Sequence, residues 1–120
     1  MSVSVTSDKY DSSDQALAAF SAAGLHTMNF EVPPVTNEPH WHHFDSEFYI
    51  VDGELTLTDA ASGEQLECRP GCSVRVPARA LHAEKSESGY TIVLGTSVPA
   101  NEFGDPVDLP PETLNEKEKI

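Results

Sequence analysis

Between Leu25 and Thr96 the chain keeps returning to one pattern: apolar and polar residues alternate for a short run, then a turn signal breaks it. Met28, Phe30 and Val32 alternate with Thr27, Asn29 and Glu31 up to Pro33-Pro34. Phe44 to Val51 is a second run, and Glu54 to Thr58 a third. Asp52-Gly53 between them has hairpin chemistry, so it is expected to join the two as paired strands. Gln65–Cys68, Cys72–Val76, Leu81–Glu84 and Tyr90–Thr96 continue the series, with Ala61-Ser62-Gly63 as another turn. A period of two is the period of a strand with one buried face. Turn signals about every ten residues imply an all-β sandwich or barrel.

The flanks differ from this middle. Residues 1–12 are polar and are expected to be flexible. Ser12, followed three positions later by Gln15, has the form of a capping box, and Ala16, Leu17, Ala19, Phe20 and Ala23 give an apolar face ending at Gly24. One short helix over residues 13–23, packed on the outside of the barrel, is predicted. The β-domain is placed at 13–98, and 99–120 is read as an acidic, Pro-rich tail. Pro111–Lys119 either makes a helical turn or stays disordered.

The 120 residues suit one domain, and the formal charge of -13 sets twenty acids against seven bases. That balance disfavours nucleic acid, whose phosphates need Lys and Arg, and disfavours anionic membranes too. The opening MSVSVTSDKYDSSDQ lacks the basic and apolar regions of a secretory signal, which implies a cytoplasmic protein. The two cysteines, in Cys68-Arg-Pro-Gly-Cys72, are too few for a structural zinc site. They are expected as reduced thiols at strand ends, facing each other across a hairpin.

The chemistry concentrates in Glu38–Gly53, which holds three of the five histidines within four positions. On a strand, His40 and His42 point one way and Trp41 and His43 the other. Two imidazoles side by side are half a transition-metal site. His82, just past a turn, is the candidate for the rest. His43 is expected as a solvent-facing neighbour or a hydrogen-bond donor behind the site, His26 as structural or exposed. Trp41 is expected on the outer sheet or at a subunit contact.

These residues resemble the two motifs of small single-domain cupins, which are double-stranded β-helix (jelly-roll) barrels. His40-x-His42 and Gly53 match the first motif, and Gly71, Pro77 and His82 match the second at the expected spacings. The chain departs from the pattern at Pro34, Arg79 and Ser86, where the family has Gly, Gly and Asn. Counting back from Gly53, the motif's glutamate falls on Ser46 rather than Glu47. Ser46, Phe48 and Ile50 share the face that should line the barrel, so Glu47 reaches a metal only if a β-bulge re-aims it.

The resemblance implies one divalent transition metal held by His40, His42 and His82, with Glu47 as a candidate fourth ligand. Fe(II) is the first choice; Zn, Ni or Mn also suit such ligands. Three-histidine cupin sites resemble those of dioxygenases, which implies a small-molecule metalloenzyme of that type. A non-catalytic ligand-binding or sensing module, or a metal-dependent isomerase or epimerase, is the alternative. Arg79 is a candidate to hold a substrate carboxylate, and Phe48 and Ile50 are candidate cavity wall. Tyr49 and Tyr90 are expected to pack. The implied partners are a small-molecule ligand and a second copy of the chain, as a homodimer.

Overall fold

The computed structural model describes residues 3–104 and 107–113. Among the described residues nine strands form two antiparallel sheets: β1 (Ser4–Ser7), β2 (His26–Val32), β3 (Val35–Thr36), β4 (Ser46–Gly53), β5 (Leu55–Asp59), β6 (Gln65–Cys68), β7 (Cys72–Val76), β8 (His82–Ser86) and β9 (Tyr90–Thr96). One sheet has the order β1-β7-β4-β9-β2 and the other β3-β8-β5-β6. This is the jelly-roll architecture that the resemblance implies, with a short N-terminal helix added.

The alternation sorts side chains to the two faces of the larger sheet. Phe48, Ile50, Val74, Val76 and Ile92 point inward and join Leu55, Leu57 and Cys68 of the smaller sheet in the main core. Tyr49 and Val93 point outward and meet Ala16 and Phe20 of helix α1 (Ser13–Ala22) in a second cluster. Burying one such aromatic ring is worth roughly 2–3 kcal/mol, which is what holds α1 against the sheet. The Ser12 hydroxyl accepts the Gln15 N–H at 3.2 Å and caps the helix as its sequence suggests. A Cβ on Gly95 would lie 3.1 Å from two carbons of the Phe20 ring, so the helix seats on a gap in β9.

Three local expectations are corrected. The segment expected to be loose contains β1, whose residues Ser4–Ser7 pair with Arg75–Cys72, with Val3 buried beside it. β1 extends a sheet edge that is far away in sequence, so no local signal marks it. Asp52-Gly53 does not close a hairpin: β4 and β5 lie in different sheets. Gly53, at φ +87°, carries the chain from one sheet to the other, and a Cβ there would sit 2.2 Å from the Gly89 carbonyl oxygen. The same holds for Cys68 and Cys72, which end β6 and begin β7 in different sheets. The thiols are free and buried in the core, and burial first of all pushes Cys68 up to about 12.

The C-terminal segment is also not a detached tail. Ala100–Glu102 forms a 3-10 turn, and Leu109 bridges back to Trp41 through two backbone hydrogen bonds of 2.9 and 3.0 Å. Residues 111–113 are helical; the rest of the helix expected at Pro111–Lys119 lies outside the described residues. No helix of the described residues is long and apolar enough to cross a membrane.

Candidate metal centre

The site starts from a backbone bridge. His40 donates its N–H to the His82 carbonyl at 2.8 Å, and His82 donates back to the His40 carbonyl at 2.9 Å. Residues that exchange both hydrogen bonds stand directly opposite, with side chains on the same face. The bridge therefore sets two imidazoles 42 positions apart in the chain side by side, with ring centroids 4.4 Å apart. His42 shares the face by the two-residue period, 5.2 Å from the His40 ring and 5.1 Å from the His82 ring. Arg79 donates its backbone N–H to the His42 carbonyl at 2.8 Å and stands at φ +69°. It thus adopts the left-handed conformation for which the family's glycine is suited.

One nitrogen from each of His40, His42 and His82 lies within 4.8 Å of the others. In all three rings Nδ1 faces a backbone carbonyl: Glu38 for His40 at 2.9 Å, Val107 for His42 at 3.1 Å and Ala80 for His82 at 2.9 Å. A carbonyl only accepts, so Nδ1 carries the hydrogen, and in the neutral ring Nε2 is left with a lone pair. His40 Nε2 is buried without a hydrogen-bond partner. Neutral imidazoles with their rear nitrogens fixed by carbonyls are the arrangement a transition metal needs. The donor set therefore fits a divalent cation.

Burial lowers the His82 pKa to about 4 and also lowers that of His42. For His40 burial acts in the same direction, but the Glu84 carboxylate and the Glu38 carbonyl outweigh it and leave the pKa raised. Glu84 Oε1 stands 3.6 Å from His40 Nε2 and 3.9 Å from His82 Nε2. Burial opposes its ionisation, yet the His40 and Tyr90 contacts hold its carboxyl below the ordinary range. Tyr90 donates its hydroxyl to Glu84 Oε2. Asp108, on the C-terminal segment and far more exposed, is 3.7 Å from both His40 and His42.

His42 and His82 line a cavity of about 530 Å³ between the sheets. Its walls are mostly apolar, with Met28, Phe30, Phe48, Val76 and Leu94 among them, and His42, His82, Glu84 and Asp108 supply the polar end. Phe44 stacks on His42 at 5.2 Å, and Phe103 stacks on Phe44 at 4.5 Å.

Of the residues singled out in the sequence, His40, His42 and His82 come together and Phe48 lines the cavity. Ile50 is fully buried in the core and is not part of the cavity lining. Arg79 is likewise not among the lining residues; its backbone braces His42 instead. Glu47 points to the opposite face, where its Oε2 accepts from Ser73 at 2.9 Å, Lys9 at 3.1 Å and Tyr10 at 3.3 Å. A bulge does exist in β4, between Ile50 and Asp52, but it lies beyond Glu47 and cannot re-aim it. Ser46 lines the cavity in its place. Trp41 is buried under the C-terminal segment, its indole N–H donated to the Pro110 carbonyl, rather than on an outer sheet face. His43 faces the Phe103 carbonyl, Nε2 at 2.8 Å, and His26 is exposed. The reading of the sequence passed over Glu84, and it gave Tyr90 to packing. The available signal was spacing: Glu84 follows His82 by two and so shares its face.

Comparison with known proteins agrees with this fold. Quercetin 2,3-dioxygenase of Bacillus subtilis is 32% identical over 77 residues, which is 58% of this chain and 22% of that enzyme. The chain thus spans about a fifth of the length of this relative. The polyketide cyclase RemF of Streptomyces resistomycificus is 26% identical with a TM-score of 0.50, over 62% of this chain and 55% of that one. An RmlC-like cupin from Shewanella frigidimarina has the same fold, with a TM-score of 0.54 at 21% identity over 67% of this chain and 71% of that one. The family model for the cupin domain matches residues 27–94, more than half the length, and the chain belongs to the cupin superfamily.

Proposed function

We propose that the protein is a small-molecule metalloenzyme of dioxygenase type, with one divalent metal held by His40, His42 and His82. The observation that carries this reading is the convergence of three imidazoles, each offering a nitrogen within 4.8 Å of the others, with His42 and His82 lining an apolar cavity. Three protein ligands leave coordination positions open, which separates a reactive site from a structural one. A bound metal, Fe(II) first and Zn, Ni or Mn as alternatives, would supply Lewis-acid polarisation and dioxygen chemistry. The chain's own contribution is orientation and exclusion of water. The Glu38, Ala80 and Val107 carbonyls fix the imidazoles. Met28, Phe30, Phe48 and Leu94 hold an apolar skeleton, and the polar end faces the substrate's oxygen or sulfur donor. The likeness to quercetin dioxygenase supports an aromatic hydroxy substrate.

The test is metal analysis of protein purified without chelator, followed by oxygen uptake over flavonols, diketones, thiols and aromatic hydroxy acids. Stoichiometric iron with substrate-dependent oxygen consumption is expected. Zinc or no metal, with no turnover on any of them, would leave a ligand-binding module instead. We read the protein as cytoplasmic and homodimeric. β2 is an edge of the larger sheet, suited to pairing with a second copy, which light scattering checks.

A further inference from the structure

The first cupin motif normally brings a carboxylate into the site from the strand after His-x-His, and here that position is Ser46. The smaller sheet offers another carboxylate to the same cavity. Glu84 lies on β8, two residues after His82, and both Ser46 and Glu84 line the cavity. Its Oε1 is 3.6 Å from His40 Nε2 and 3.9 Å from His82 Nε2. Those separations exceed a hydrogen bond. They match the roughly 3–4 Å between two atoms that share one ion at about 2.0–2.2 Å. The buried His40 Nε2, which has no hydrogen-bond partner, faces the same gap. The other carboxylate oxygen is occupied: Tyr90 donates its hydroxyl to Oε2. The pairing turns Oε1 toward the histidines and favours binding through one oxygen.

Building on the three-histidine reading, we infer that Glu84 is the fourth metal ligand, moved from the motif strand to the opposite sheet, and that Tyr90 is its positioning residue. At 20% side-chain exposure Glu84 is largely withdrawn from water, a setting that favours a carboxylate which is paired or coordinated; here one oxygen is paired and the other faces the three-nitrogen cluster. Asp108 is the rival carboxylate, but at 59% side-chain exposure it can stay solvated without a metal.

Cobalt(II) titration in competition with a chromophoric chelator tests this, because both affinity and the visible spectrum follow the ligand set. Wild-type protein is expected to bind one cobalt. Glu84→Gln keeps the shape and the Tyr90 contact, and should bind about 10- to 100-fold more weakly with a shifted spectrum. Tyr90→Phe should shift the spectrum with a smaller loss. Should Glu84→Gln fail to fold by circular dichroism, Tyr90→Phe decides alone, and an unchanged spectrum overturns the inference. Stoichiometric binding that is unaltered in Glu84→Gln removes Glu84 and leaves the three histidines standing. Weakening in Asp108→Asn but not in Glu84→Gln makes Asp108 the ligand instead. Failure of the wild type to bind cobalt at all overturns the three-histidine site and this inference together.

Discussion

Ser46 and Glu47 are adjacent in sequence and face opposite sides of β4: Ser46 lines the cavity, while the Glu47 carboxylate meets Ser73, Lys9 and Tyr10 on the far face. Glu47 thereby ties the segment between β1 and α1 to the larger sheet. Its bonds are to one charged and two neutral donors, of which Ser73 is buried. Glu47→Gln should lower stability by about 1–2 kcal/mol, seen as a shift in urea midpoint. Metal stoichiometry should not change. A loss of bound metal in this variant would place Glu47 in the site after all.

His82 is central to both the backbone bridge and the ligand cluster. Its side chain is removable while the bridge, which is made of main-chain groups, persists. His82→Ala should therefore keep the strand pairing and lose metal affinity on the order of 100-fold or more. Inductively coupled plasma analysis of dialysed protein reads this directly. Full retention of metal would remove His82 from the ligand set.

The buried imidazoles make the metal-free protein sensitive to acid. His82 is held to about 4 by burial, against about 6.5 for an exposed histidine. As pH falls through 6.5 the unfolded chain takes up a proton that folded His82 refuses until about 4. Stability is full above that window and declines within it, by roughly 3 kcal/mol at its lower end. His42, also lowered by burial, has the same sign. His40 has the opposite sign: its raised pKa gives stability below the unfolded value that is lost as pH rises through the folded one. Two against one predicts a net fall in melting temperature, in chelator, from pH 7 to pH 5. His82→Gln should flatten the profile. An unchanged slope in that variant would assign the acid sensitivity elsewhere.

Much of the site was legible because strand periodicity is a local rule. It puts His40 beside His42, and it puts Ser46 rather than Glu47 on the inner face. What it missed was non-local. β1 joins an edge formed by β7, about seventy residues on, and Asp52-Gly53 turns between sheets because Gly89 lies against it, which no dipeptide preference reveals. Glu84 and Tyr90 sit in different sheets and become partners only when the barrel closes. The C-terminal segment looked like a solvated acidic tail because composition does not show that Trp41 needs a cover.

That cover is the last element to test. Trp41 is 1% exposed, and its Nε1–H donates to the Pro110 carbonyl at 2.9 Å. The same segment presents the Val107 carbonyl to His42 Nδ1 at 3.1 Å and stacks Phe103 on Phe44. Cover and ligand geometry are thus coupled through one stretch of chain. Trp41→Phe retains most of the buried ring and removes the hydrogen bond, at a cost of about 1 kcal/mol. In a chain of this size that lowers the melting temperature by roughly 3–5 °C. Freed of its anchor, the segment should be cut sooner by protease near Phe103. Because His42 then loses the carbonyl that fixes its tautomer, metal affinity should fall about 10-fold. Faster proteolysis with unaltered affinity would show that the segment covers Trp41 without orienting His42.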